Sequence, residues 1–145
     1  MKLLISNIAW KNNEDIKIAK LLKKKKIKLL EFAPDILLAK DYSKKNLSLT
    51  KKFWHLKNVK LYSMQSILYD VDDVFLYGSN SQREKFFNEI VKKIDLAKSL
   101  GVKVIIFGSP KNRKTFKKSK HILNKIGLNM FKKIAMYTSK KKIIF

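Results

Sequence analysis

The side chains able to do chemistry fall where short apolar runs end. Asn7 and Trp10 follow Leu3-Leu4-Ile5, and Glu31 sits inside Ile27-Lys28-Leu29-Leu30-Glu31-Phe32-Ala33. Gln65 closes a run from Val59, and Asn112 and Arg113 come just after Val102–Phe107 and Gly108-Ser109-Pro110. A carboxylate in a run as apolar as that around Glu31 is costly to bury unless it is paired or used. It therefore reads either as a ligand-binding group or as a strand-end ion pair with a neighbouring lysine. Gln65 can hydrogen-bond a substrate hydroxyl or satisfy the backbone at a strand end. Arg113, one of only two arginines, suits an anion clamp or a solvated loop.

Other chemistries are removed by composition. Cysteine is absent, which excludes disulfide frameworks, thiolate nucleophiles and cysteine-held metals. His55 and His121 are too few for a histidine-built metal site, and no Ser/His/Asp constellation can be read. Neither glycine-rich phosphate loop is present, so Gly78-Ser79-Asn80-Ser81 reads as a loop and helix start. Asp70, Asp72 and Asp73 form an acidic loop without the further oxygen ligands of a calcium site. No metal site is expected in this chain, and no catalytic residue can be named.

The elements that would position these residues alternate regularly. Strands are expected at Leu3–Ala9, Ile27–Ala33, Val59–Ile67 and Val102–Phe107, with another beginning at Lys142-Ile143-Ile144-Phe145. The first helix follows Asn12 and Asn13 as caps, with Glu14 and Asp15 in its first turn. A second spans Leu47–Leu56. The longest runs from Gln82 to Leu100, with Ser81 and Glu84 at capping-box spacing and Gly101 as its stop. A last helix within Lys118–Ser139 carries Ile122, Ile126, Met130 and Ile134 at intervals of four. Nearly continuous apolar strands separated by helices mean a parallel sheet covered by helices.

At 145 residues the chain reads as one domain, 1–145. Length alone favours an open, flavodoxin-like five-stranded sheet, because a closed (β/α)8 barrel takes at least ~200 residues. In either architecture function collects where parallel strands end.

The net charge is +23, from 34 basic and 11 acidic residues. Thirty-two of the basic residues are lysines, whereas nucleic-acid readers favour the planar fork of arginine. A lysine-coated surface, with weak and non-specific nucleic-acid binding, is the expectation. The charge is uneven: residues 1–50 carry +7, 51–100 carry +3 and 101–145 carry +13, with no carboxylate after Asp95. No apolar stretch reaches the length of a membrane helix and the N-terminus lacks a signal-peptide run. The expected setting is the cytoplasm, away from membranes.

Four of the strand-end segments together carry a family resemblance. Ser6-Asn7-Ile8-Ala9-Trp10, Leu30-Glu31-Phe32-Ala33-Pro34, Ser63-Met64-Gln65-Ser66-Ile67 and Phe107-Gly108-Ser109-Pro110-Lys111-Asn112-Arg113 resemble the sugar phosphate isomerase/epimerase family, the group with the xylose isomerase-like TIM barrel. The resemblance covers residues 1–113 well and the remainder loosely. It implies an α/β fold: a partial (β/α)8 barrel of about four βα units plus the start of strand five. It further implies that Asn7, Trp10, Glu31, Gln65, Asn112 and Arg113 contact a sugar or sugar phosphate. In metal-dependent members a divalent ion such as Mn²⁺ or Mg²⁺ is held by strands five to eight, and the catalytic glutamates come from the same half. Those positions have no counterpart here. The expectation is an incomplete, truncated barrel that holds no cofactor and is inactive alone. It would associate with itself or with a complementing chain. The competing expectations are a basic nucleic-acid-binding protein of the endonuclease IV-like barrel superfamily and a subunit that completes a barrel with a partner.

Overall fold

The computed structural model describes residues 3–145. Four strands, β1 (Leu4–Ser6), β2 (Leu29–Phe32), β3 (Lys60–Met64) and β4 (Val104–Ile105), form one parallel sheet in the order β1-β2-β3-β4. Beyond β4 the ladder continues: Ile105 N–H donates to Ile144 O at 2.8 Å and Ile144 N–H to Lys103 O at 3.0 Å. The start of a fifth strand is therefore in place. Sequential order corrects the open-sheet expectation drawn from length. A flavodoxin-like sheet reverses its strand order at a switch point. Here every crossover advances one strand in the same direction, as in an arc of a barrel wall. Right-handed crossovers then place all the helices on one face. The strands are shorter than the apolar runs suggest, because the chain leaves the ladder at each C-terminal end. After β1 it enters a tight 3-10 turn at Asn7–Ala9, and after β2 Pro34 opens the short helix α2 (Pro34–Leu37) at the position where a missing N–H costs nothing.

The helices sit where periodicity puts them, but several starts differ. Helix α1 (Asp15–Lys24) is preceded by a 3-10 turn, Asn12–Glu14, and Lys11 rather than Asn12 or Asn13 occupies the capping position of that turn. The Asn12 amide instead donates to Ile36 O, bracing α2. Helix α3 (Lys44–Leu56) starts earlier than the apolar pattern indicates because Ser43 caps it. Helix α4 (Asn80–Leu100) is closed by a capping box of Ser79 and Gln82, not Ser81 and Glu84. The frame moves by two residues because Gln82 Nε2 also reaches Asp73 Oδ1 at 2.6 Å, anchoring the helix start to the preceding loop. Gly101 ends α4 at φ 74°, a left-handed conformation that glycine adopts without penalty.

Helix α5 (Lys120–Lys141) buries Gly127, Met130, Ile134 and Thr138 and leaves Ile122 exposed. A strict interval of four drifts by about 40° per step at 3.6 residues per turn. Ile122 thus lies about a third of a turn away from Ile134 and misses the core.

The core lies between sheet and helices. Phe32, Met64 and Ile105 share one level of the sheet and are almost fully buried, as are Phe86, Ile90 and Ile94 of α4. An aromatic cluster closes the far end: Phe107 meets Phe86 edge-on at 5.4 Å and stacks on Phe145 at 6.0 Å. One charge is taken inside. Lys93 of α4, buried, lies 3.8 Å from the Asp35 carboxylate and 5.1 Å from the centre of the Tyr42 ring. Tyr42 donates its hydroxyl to Asp35, and burial, followed by that carboxylate, pushes its phenol well above the ordinary value. This group ties the loop after α2 to the outer helix layer.

The shifted capping box yields a direct test. Ser79→Ala should destabilise the protein by about 1 kcal/mol, whereas Ser81→Ala should stay within about 0.5 kcal/mol of the parent, both read by urea unfolding.

Candidate functional site at the strand ends

The C-terminal ends of three neighbouring strands carry two hydrogen-bonded pairs of polar side chains. Ser6, Glu31, Ser63 and Val104 stand level across β1 to β4. Because side chains alternate across a strand, this row faces away from the layer containing Phe32, Met64 and Ile105, towards the open side of the sheet. Ser63 Oγ donates to Glu31 Oε1 at 3.0 Å, and Gln65 Nε2 donates to Ser6 Oγ at 2.6 Å. The irregular register between Leu30 and Glu31 is what sets Glu31 opposite Ser63 rather than Tyr62.

Glu31, half-buried, therefore has a hydroxyl as partner, and among the described residues no lysine or arginine lies within 4 Å of it. The ion-pair reading of Glu31 does not describe this geometry. Its second oxygen, with Ser6 and Gln65, offers acceptors and donors suited to the hydroxyls of a polyol.

The other candidates are held differently. Asn7 is buried, and its Oδ1 accepts the Ala33 N–H at 2.8 Å, latching the end of β1 to the end of β2. Asn112 is equally buried. Its Nδ2 donates to Val74 O at 2.8 Å while its backbone carbonyl accepts from Leu76 N–H, so it pins the long loop before α4. Both shape the mouth through the backbone. Trp10 Nε1 donates to Asp15 Oδ1 at 2.7 Å. Burial raises the Asp15 pKa from its ordinary 3.8, with the Trp10 hydrogen bond acting in the opposite sense. Arg113 is exposed, spending one N–H on Gly108 O at 3.0 Å.

Ser6 and Ser63 complete the set, and their types alone do not single them out; only the level shared with Glu31 does. In the acidic loop each carboxylate has a lysine partner: Lys40, Lys111 and Lys85 pair with Asp70, Asp72 and Asp73 respectively. Among the described residues no three metal-ligating side chains converge, and Glu31 is a single carboxylate. This donor set does not fit a divalent ion.

Comparison with known proteins adds the fold. No family model matches the chain and no curated protein sequence matches it. Solved structures do. D-psicose 3-epimerase from Clostridium cellulolyticum, solved with D-tagatose, superposes with a TM-score of 0.72 at 14% identity, over 99% of this chain and 50% of that one. A sugar phosphate isomerase/epimerase from Parabacteroides distasonis gives 0.69 at 14% identity, over 98% and 49%. A xylose isomerase domain protein from Planctomyces limnophilus gives 0.59 at 9% identity, over 86% and 46%. The chain spans about half the length of the solved structures it matches. Its fold is an α/β partial barrel like half of theirs. Among the described residues no helix is long and apolar enough to cross a membrane.

Two outcomes follow from the latches. Asn7→Ala leaves the Ala33 N–H without its partner and should cost about 1–3 kcal/mol in chemical unfolding. For Asp15, a raised folded pKa means that its stabilising contribution is present below 3.8 and lost as pH rises through the raised value. Trp10 emission should follow the same titration, with a midpoint above 3.8, and Asp15→Asn should abolish the change.

Proposed function

We propose that this chain is the substrate-side half of a sugar phosphate isomerase/epimerase-like barrel, binding a sugar or sugar phosphate at its strand ends. The observation that carries the reading is the row Ser6, Glu31, Ser63 with Gln65 just beyond β3, joined as the pairs Glu31–Ser63 and Ser6–Gln65 and turned to the open side of the sheet. The likeness to structures of a ketose epimerase and a sugar phosphate isomerase/epimerase supports it. Its roles are unequal. Glu31, Ser6 and Gln65 would meet substrate hydroxyls, Arg113 would face an anionic group, and Asn7, Asn112 and Trp10 would hold the strand-end turns in place. Proton abstraction beside a carbonyl needs a base and an electrophile facing each other across the substrate, and this face supplies only Glu31 among its carboxylates. On this reading, turnover needs a second catalytic group from outside the described residues.

Assembly is part of the same proposal. Leu4, Ile106 and Ile144 share the open face by strand alternation and are 39%, 44% and 68% exposed. Neither β1 nor Ile144 has a strand on its outer side among the described residues. Unpaired apolar edges recruit further strands, and burial contributes roughly 25 cal/mol per Å². A second copy offers the same two edges in complementary direction and would close the wall.

The isolated chain should leave D-fructose, D-tagatose and their phosphates unepimerised, with or without Mn²⁺ or Mg²⁺, while Glu31→Gln weakens sugar binding several-fold by calorimetry. Turnover by the chain alone would overturn the half-site assignment. In sedimentation, the dimer fraction should grow from low to high salt as the +23 charge is screened. A monomer at both ionic strengths argues against closure by a second copy.

A further inference from the structure

At the opposite end of the sheet from the polar row, α1, α3, α4 and α5 all end in the same kind of turn, and the first two of these turns adjoin cavities. After α1, Lys26 takes a left-handed conformation while Lys26 N–H bonds Lys23 O and Ile27 N–H bonds Leu22 O; after α3, Asn58 does the same, with bonds to His55 O and Trp54 O. These two turns deliver β2 and β3 side by side, with Lys60 N–H bonded to Lys28 O at 2.8 Å. Two adjoining cavities open there. One, of about 520 Å³, lies between the starts of β2 and β3 and the last turns of α3 and α4. The other, of about 380 Å³, lies between the two turns, and both share Lys28 and Asn58 as walls.

The lining is one-sided in charge. Lys28, Lys51 and Lys60 border the first cavity and Lys23, Lys26 and Lys57 join Lys28 around the second; no carboxylate lines either. Helix C-termini attract cations, and three helices, α1, α3 and α4, end beside these cavities. Lys51 serves that purpose, donating to Ser99 O of α4 at 2.9 Å. But each C-terminus carries only about −0.5 charge, so three ends offset roughly −1.5 of six lysines. None of the six is ion-paired among the described residues. Lys60 stands level with Leu29 and Lys28 is the residue before it, so both lysines border the first cavity, and neither has a carboxylate partner among the described residues.

We propose that this basin binds a compact multivalent phosphate anion, spanning the two cavities over Lys28. The volume suits a small ligand, and the concave wall, fixed by two turns already in their final conformation, suits a chain of phosphates better than the convex backbone of a duplex. The site lies at the far end of the strands from Glu31 and is independent of the sugar reading.

The test uses the full chain and inorganic tripolyphosphate, titrated calorimetrically in about 150 mM salt, where the Debye length of about 8 Å weakens diffuse attraction. One ion per chain should bind, and the His55 imidazole resonances should shift. The exposed pair Lys28→Gln and Lys60→Gln should lower affinity at least tenfold. Lys125→Gln with Lys132→Gln on α5 removes the same charge elsewhere and should change it less than twofold. Equal losses in the two pairs, several ions per chain, or no binding would overturn the proposal. So would duplex DNA binding that depends on Lys28 and Lys60 while tripolyphosphate fails.

Discussion

Everything in this molecule depends on the unbroken parallel pairing of strands in chain order. Each strand exchanges backbone hydrogen bonds with the one before and after it, from Leu4 through Ile144. Single-direction winding leaves one face for all the helices, so a continuous core can form there from Phe32, Met64, Ile105 and the apolar side of α4. The same winding leaves the other face uncovered. A doubly wound sheet would have buried both, and the row of Ser6, Glu31 and Ser63 would then have been an expensive polar layer inside a core. In a partial barrel wall that row instead lies on the side of the sheet without helices.

Parallel winding also makes the two ends of the sheet chemically different. At the C-terminal ends the chain leaves the strands through turns held by buried asparagines, Asn7 and Asn112, whose amides replace missing backbone partners. The strand ends are thereby fixed without using charge, and among the described residues Glu31 has only the Ser63 hydroxyl as a side-chain partner. At the N-terminal ends helix C-termini converge, and lysine is the residue that their dipoles favour. A composition rich in lysine meets that demand several times over. The excess gathers around Lys28 and Lys60, whereas on α5 the lysines are spread along a solvated helix.

Much of the fold is legible in the amino-acid order. The apolar runs around Leu30, Leu61 and Ile105 mark the strands because buried parallel strands are apolar on both faces. Gly101 marks the end of α4 because the chain there needs a left-handed residue. The presence of a carboxylate at Glu31 inside such a run marks a position of consequence before any contact is known. Ends and frames are less legible. Ser79 and Ser81 are equally good caps in isolation, and the choice falls to Gln82, which can reach both Ser79 and Asp73 only when the preceding loop is folded beneath it.

What the sequence by itself determined is the alternation of strand and helix, the absence of thiol chemistry, and the residue types waiting at the strand ends, since these follow from local pattern and composition. Only the tertiary structure decided the order of the strands, because the same βα alternation suits an open or a closing sheet. It also decided which polar residues act together. Asn7 and Asn112 became latches because backbone groups up to 38 residues away in sequence needed partners. Glu31 met Ser63 because an irregular register slid β3 by one residue against β2. Lys28 and Lys60 border one cavity because β2 and β3 start side by side, with Lys60 level with Leu29. Pairings of that kind arise from distance in space, and distance in space is what a linear pattern does not encode.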